Sequence, residues 1–183
     1  MSKRIALLSA AAFAALALTA TVAAPVSAQE KTVMVGGAAM FPSKNIVQNA
    51  VNSKDHTTLV AAVKAAGLVN TLESKGPFTV FAPTNAAFGK LPAGTVDNLV
   101  KPENKATLSK ILTYHVVAGK LAASDLTEGK KLKTVEGEQL TIKKSDGKVM
   151  IIDSKGNSST VTIPNVNQSN GVIHVVDTVL MPS

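Results

Sequence analysis

Residues Phe78 to Phe88 read FTVFAPTNAAF, and the fold turns on that run. Phe78, Val80 and Ala82 alternate with Thr79 and Phe81. A two-residue period with both sets largely apolar describes a strand buried on both faces. Pro83 has no N–H to give a ladder and ends the strand. Thr84 or Asn85 then caps a helix, its side-chain oxygen accepting from a free N–H of the first turn. Ala86, Ala87 and Phe88 begin that helix, and Leu91-Pro92 closes it. The run holds no nucleophile, metal ligand or phosphate loop, so it predicts scaffold.

Upstream of it, helical spacing dominates. Ser43 is the expected cap of a short helix whose apolar face is Ile46, Val47, Ala50 and Val51. Asp55 is the expected cap of a second, about 57–66, carrying Leu59, Val60, Val63 and Ala66 and ending at Gly67. Leu68 to Leu72 continues helically before Lys75-Gly76-Pro77 turns into the buried strand. Downstream, a helix is expected at about 95–100. Another opens at Pro102, with Leu108, Ile111 and Leu112 inward. Tyr114 to Val117 then reads as a strand. Further strands are expected at Leu132–Val135, Leu140–Lys143, Val149–Ile152, Thr160–Ile163 and Val172–Leu180, separated by Gly- and Asn-containing turns. Helices early and antiparallel strands late argue α+β, with the helices gathered against one part of the sheet. No internal repeat is visible, so one domain is expected.

The N-terminus reads as a secretory signal peptide over residues 1–28. Lys3 and Arg4 precede an apolar run from Ile5 to about Leu18, and small residues lead to cleavage after Ala28. Residues 29–42, with Gly36-Gly37, read as a flexible lead, and 43–183 as the folded domain. No second apolar run has spanning length, so no transmembrane segment is expected after cleavage. There is no cysteine, so stability must come from packing and pairing. The formal charge of +7 loses two with Lys3 and Arg4 and becomes +5. Such a balance favours an anionic surface such as a polysaccharide, lipid headgroup or cell envelope. The densest lysines, Lys130-Lys131-Lys133 and Lys143-Lys144, read as a solvated surface. One Tyr and no Trp supply base stacking poorly, so no nucleic-acid partner is expected.

Three stretches carry a resemblance. FTVFAPTNAAFGKLP, LTYHVVAGKL at 112–121 and NGVIHVVDTVLMP at 170–182 resemble, in order and spacing, the signatures of the fasciclin-type (FAS1) domain. The likeness covers roughly residues 43–182. It implies a FAS1-like α+β fold, with antiparallel β-sheets forming a wedge or sandwich and several short helices packed at one side. It also implies a binding role, cell adhesion or cell-surface or matrix association, and the partner expected for such a role on a basic chain is a cell-surface protein or polysaccharide. In that family the Tyr-His motif, here Tyr114 and His115, is implicated in adhesion, through integrins in animal proteins. An acidic residue of the C-terminal signature, here Asp177, is discussed in the same terms. The residues themselves also allow a structural reading. Neighbours on a strand point to opposite faces, so one of Tyr114 and His115 helps fix the core. Asp177 would then bond donors near the central strand.

Catalytic and metal chemistry find no local pattern. His56, His115 and His174 lack ligand spacing, and each reads best as a buried, hydrogen-bonded histidine. Asp146 and Asp153 read as turn residues. No Gly-x-Ser-x-Gly elbow or phosphate loop occurs. The expectation is a secreted binding protein, not an enzyme, with no cofactor and no metal. The alternative is a periplasmic module that binds a small ligand or stabilises the envelope.

Overall fold

The computed structural model describes residues 32–183. The expected leader, its cleavage point after Ala28 and residues 29–31 lie outside the described residues. Where a flexible lead is expected, Val33 to Met40 forms a hairpin of β1 (Val33–Val35) and β2 (Ala38–Met40). Gly36 and Gly37 make its two-residue turn with φ of 57° and 75°. Those left-handed values match the twist of a tight hairpin, so the glycine pair marks a turn here, not slack. Val35 and Met40 join the helical core.

Helix α1 (Ile46–Ala50) is capped by Asn45, not by Ser43. Asn45 accepts from the Gln48 N–H, and the Gln48 side chain accepts in return from the Asn45 N–H. Helix α2 (Thr57–Ala66) follows a 3-10 turn at Lys54–His56 that contains Asp55. Its first turn is satisfied from a distance, because Asn85 Oδ1 accepts from the Thr58 N–H at 3.0 Å. Asn85 Nδ2 donates to the Lys54 carbonyl at 2.8 Å, so one amide joins two helices. Gly67 ends α2 in the left-handed conformation, and α3 (Val69–Glu73) follows.

The run at 78–88 folds as its residues dictate. Strand β3 (Phe78–Pro83) passes directly into α4 (Asn85–Gly89), with Thr84 accepting from the Ala87 N–H. Helix α5 (Thr95–Leu99) leads through a 3-10 turn at Pro102 to α6 (Lys105–Tyr114). The expected strand from Tyr114 is corrected here. Helix α6 runs through Tyr114, His115 caps it, and β4 is only Val116–Ala118. The apolar spacing Leu108, Ile111, Leu112 continues in helical register to His115, and that period wins over the shorter alternation after it.

The remaining strands are β5 (Lys131–Lys133), β6 (Gln139–Ser145), β7 (Lys148–Ile152), β8 (Ser158–Gln168) and β9 (Gly171–Val176). Strand β8 extends past Pro164, beyond the expected end at Ile163. Its register against β9 shifts between Ile163 and Val166, so the proline falls where no ladder donor is needed. Seven strands form one sheet in the order β4-β3-β9-β8-β7-β6-β5. All pairs are antiparallel except β3–β9, which is parallel. The two edges meet where Val117 bridges Thr134 and the Val135 N–H donates to the Val116 carbonyl at 2.7 Å. The sheet is thus wrapped nearly into a barrel. Two cores follow from the alternation of β3: Val80 and Ala82 pack with the helices, whereas Phe81 packs inside the sheet with Tyr114, Ile142, Ile151 and Leu180.

Candidate functional site

Tyr114 and His115 sit where α6 ends, and both point inward. Tyr114 is fully buried, and its hydroxyl accepts from the Ser154 N–H at 2.9 Å, tying α6 to the β7–β8 turn. Burial pushes its phenol pKa up, with the Ser154 bond pulling the other way. His115 is 2% exposed. Its Nδ1 lies 2.8 Å from the Ile111 carbonyl, and its Nε2 accepts from the Leu180 N–H at 2.9 Å. That pattern requires the neutral tautomer with the proton on Nδ1. Burial lowers its pKa from 6.5 to about 4, against smaller opposing pulls from the Ile111 bond and the Asp153 charge. The imidazole therefore stays neutral and staples the C-terminal segment to α6.

Asp153 works beside them. As expected it builds its turn, accepting from the Lys155 and Asn157 N–H groups. It also accepts from the Met181 N–H at 3.1 Å, a second tie to the C-terminal segment. Asp177 is placed differently. Its Oδ1 accepts from the Thr160 N–H at 2.8 Å and from the Thr178 hydroxyl at 3.1 Å. Its Oδ2 lies 3.7 Å from Lys90 Nζ, and the side chain is 40% exposed. Of the three candidate residues, only Asp177 reaches solvent, and no hydrogen bond joins it to the other two.

The other histidines are also internal. His174 stacks on Phe81 with ring centroids 5.7 Å apart, and its Nε2 and Nδ1 meet the Leu121 carbonyl and the Asn165 N–H. His56 Nδ1 pairs with Ser53 Oγ at 2.9 Å, and its buried Nε2 makes no hydrogen bond of normal geometry, the ring having only a weaker interaction with the Ala82 backbone. Burial holds both pKa values below the usual imidazole range. Among the described residues no group of three or more His, Cys, Asp or Glu could hold a metal ion.

Two features lay outside the sequence reading. Buried amides form the joints between layers. Asn170 Oδ1 accepts from the Ile46 N–H, and its Nδ2 donates to the Leu72 and Ser74 carbonyls. Asn49 pairs with the Phe41 backbone and with Gln168. The only local signal was a polar residue inside the apolar face of α1. The second feature is a cavity of about 60 Å³ between helices and sheet, walled by Met40, Leu59, Val63, Leu72 and Ile173 and bordered by His56.

A helical layer on a nearly closed seven-stranded sheet, pinned by an internal Tyr-His pair, is the architecture of a fasciclin-type domain. A FAS1 domain pair from the insect cell adhesion molecule Fasciclin I superposes with a TM-score of 0.69 at 19% identity, a likeness of fold. The match covers 77% of this chain and 52% of that one. The Fasciclin domain family model matches residues 54–182, and the chain belongs to that family. Protein sll1483 of Synechocystis is 49% identical over 168 residues, spanning 92% of this chain and 90% of that protein. The cell surface glycolipoprotein MPT83 of Mycobacterium tuberculosis is 39% identical over 153 residues, or 81% of this chain. The chain spans 64% of MPT83, less than two thirds of its length. Among the described residues no helix is long and apolar enough to cross a membrane.

Proposed function

We propose that this protein is exported and acts at the cell surface or in the surrounding matrix, as an adhesive binding domain with no catalytic step. The observation that carries this is kinship over most of the chain to a cell surface glycolipoprotein, with fold likeness to a cell adhesion molecule. The chemistry fits that role, since Tyr114, His115 and His174 spend their polar atoms on internal bonds. The Tyr-His pair then serves adhesion by holding the scaffold, and contact with a partner falls to exposed side chains. Surfaces coated with the protein should retain bacterial cells or isolated envelope saturably. Tyr114→Phe, which alters only a buried hydroxyl, should leave retention intact. Retention no greater than on a bare surface would overturn the proposal.

The small cavity favours a second reading, capture of an apolar ligand with one hydrogen-bonding group. His56 Nε2 is a buried polar atom at an apolar wall, which is the pattern of a specificity contact. A small alcohol of two or three carbons should raise the melting temperature, and should do so less in His56→Leu. No shift with either protein would exclude this reading.

A further inference from the structure

The outward face of the β5–β6–β7 sheet is a candidate contact surface. Register places four lysines on it. Lys131 pairs with Thr141 and Lys133 with Gln139 across β5–β6. Lys143 pairs with Met150, and Ser145 with Lys148, across β6–β7. Paired residues share a face, and the buried Leu132, Leu140, Ile142 and Ile151 define the opposite one. The order Lys133, Lys131, Lys143, Lys148 therefore runs diagonally over three strands. Strand spacing and rise put successive Cα atoms about 7–8 Å apart and the ends about 20 Å apart.

All four lysines are exposed, and none makes an ion pair or hydrogen bond through its side chain. The outward positions of β5 to β7, and Ser158, Thr160 and Thr162 of β8, carry no carboxylate. Asp146, in the β6–β7 turn, sets its carboxylate 3.3 Å from the Ser145 hydroxyl at the Lys148 end of the row, and the Glu128 carboxylate accepts from the Lys144 N–H beside Lys143, so acidic groups border the row only at that end. Glu136 and Glu138 are within ion-pair range of Lys110 instead. Gln139 and Thr141 lie beside the lysines on β6, Met150 and Ile152 are half-buried on β7, and the hydroxyls of β8 border the row beyond them. Lysine on a sheet edge also discourages strand addition, but that role needs charge only on the edge strand, and this row crosses to β7.

We propose that this face binds a linear acidic polysaccharide, its carboxylate or sulfate groups lying along the lysine row and its hydroxyls meeting the polar side chains between. The inference rests on the surface-binding role above and names its partner class. A linear polyanion suits a row of separated cations that crosses three neighbouring strands. A membrane would call for protruding apolar side chains, and single-stranded nucleic acid for aromatic platforms. The face has neither.

The test measures binding of alginate and dextran sulfate to the immobilised full-length protein at low and high salt, with cell retention scored on the same surface. One variant carries Lys131→Gln, Lys133→Gln, Lys143→Gln and Lys148→Gln. A control carries Lys64→Gln, Lys75→Gln, Lys101→Gln and Lys105→Gln, with the same charge loss on the helical side, and both are checked for an unchanged melt. The row variant should lose roughly tenfold or more in low-salt affinity and most of its salt dependence, and the control less than about twofold. Equal losses in both variants would overturn the proposal, since diffuse charge would then suffice. Binding to anionic phospholipid vesicles or single-stranded DNA but to neither polysaccharide would also overturn it. Cell retention without polysaccharide binding would overturn it and leave the surface-binding role standing. Loss of both would remove the two together.

Discussion

Acid should weaken this domain in a way that can be traced to His115. The imidazole is buried and neutral, its Nδ1 engaged with the Ile111 carbonyl and its Nε2 with the Leu180 N–H. In the unfolded chain it titrates near 6.5, whereas the fold holds it at about 4. Between those values the unfolded state binds more protons than the folded state. Stability from this group is therefore fully present above the unfolded pKa and drains away as pH falls through the folded one. Linkage makes the loss about 2 kcal/mol at about pH 5 and about 3 kcal/mol at about pH 4. His56 and His174 are shifted in the same direction, so they add to the trend. The assay is urea unfolding at a series of pH values for the parent and for His115→Gln. The variant should start less stable at neutral pH by about 1–3 kcal/mol, having strained or lost two buried bonds. Its stability should then fall less steeply with acid, closing most of that gap. Parallel pH curves, or a folded-state His115 resonance titrating near 6.5, would refute the reasoning.

Two more outcomes test the joints of the fold. Asn170→Ala strips partners from the Ile46 N–H and from the Leu72 and Ser74 carbonyls. It should cost about 2–4 kcal/mol in urea unfolding, and a loss under about 0.5 kcal/mol would contradict the assigned role. In Gly171→Ala the new Cβ would overlap the Phe78 carbonyl oxygen at the start of the parallel β3–β9 pair. A backbone clash of that kind should destabilise by at least about 2 kcal/mol, so an unchanged melting temperature would show that the two strands separate more easily than this packing implies.

The sequence disclosed what local physics decides. The two-sided burial of Phe78 to Ala82, the stop at Pro83, the Thr84 cap and the Gly67 terminus all follow from period, missing donors and capping chemistry. Where two local rules competed, the reading went astray. Tyr114 to Val117 shows strand alternation, yet His115 also completes the helical row begun at Leu108, and packing chose the helix. Gly36-Gly37 suits both slack chain and a tight turn, and burial of Val35 and Met40 decided for the turn. What remained illegible is non-local by nature. Asn85 caps a helix that begins 28 residues before it, and Asn170 joins Ile46 at a separation of 124. No window of sequence contains both ends of such a bond.

The same distinction bears on where adhesion could reside. A motif match draws attention to Tyr114 and His115, but these are among the least accessible residues in the domain. Truncating both to alanine would disturb α6, the β7–β8 turn and the C-terminal segment together, so lost adhesion in that variant would report on folding first. The lysine row behaves in the opposite way. Its side chains make no hydrogen bond or ion pair, its neighbours along each strand hold the core, and exposed substitutions of this kind cost little stability. A binding defect in the row variant would therefore bear on recognition itself. The scaffold and the contact surface can be tested by disjoint sets of residues, His115, Asn170 and Gly171 for the one and Lys131, Lys133, Lys143 and Lys148 for the other.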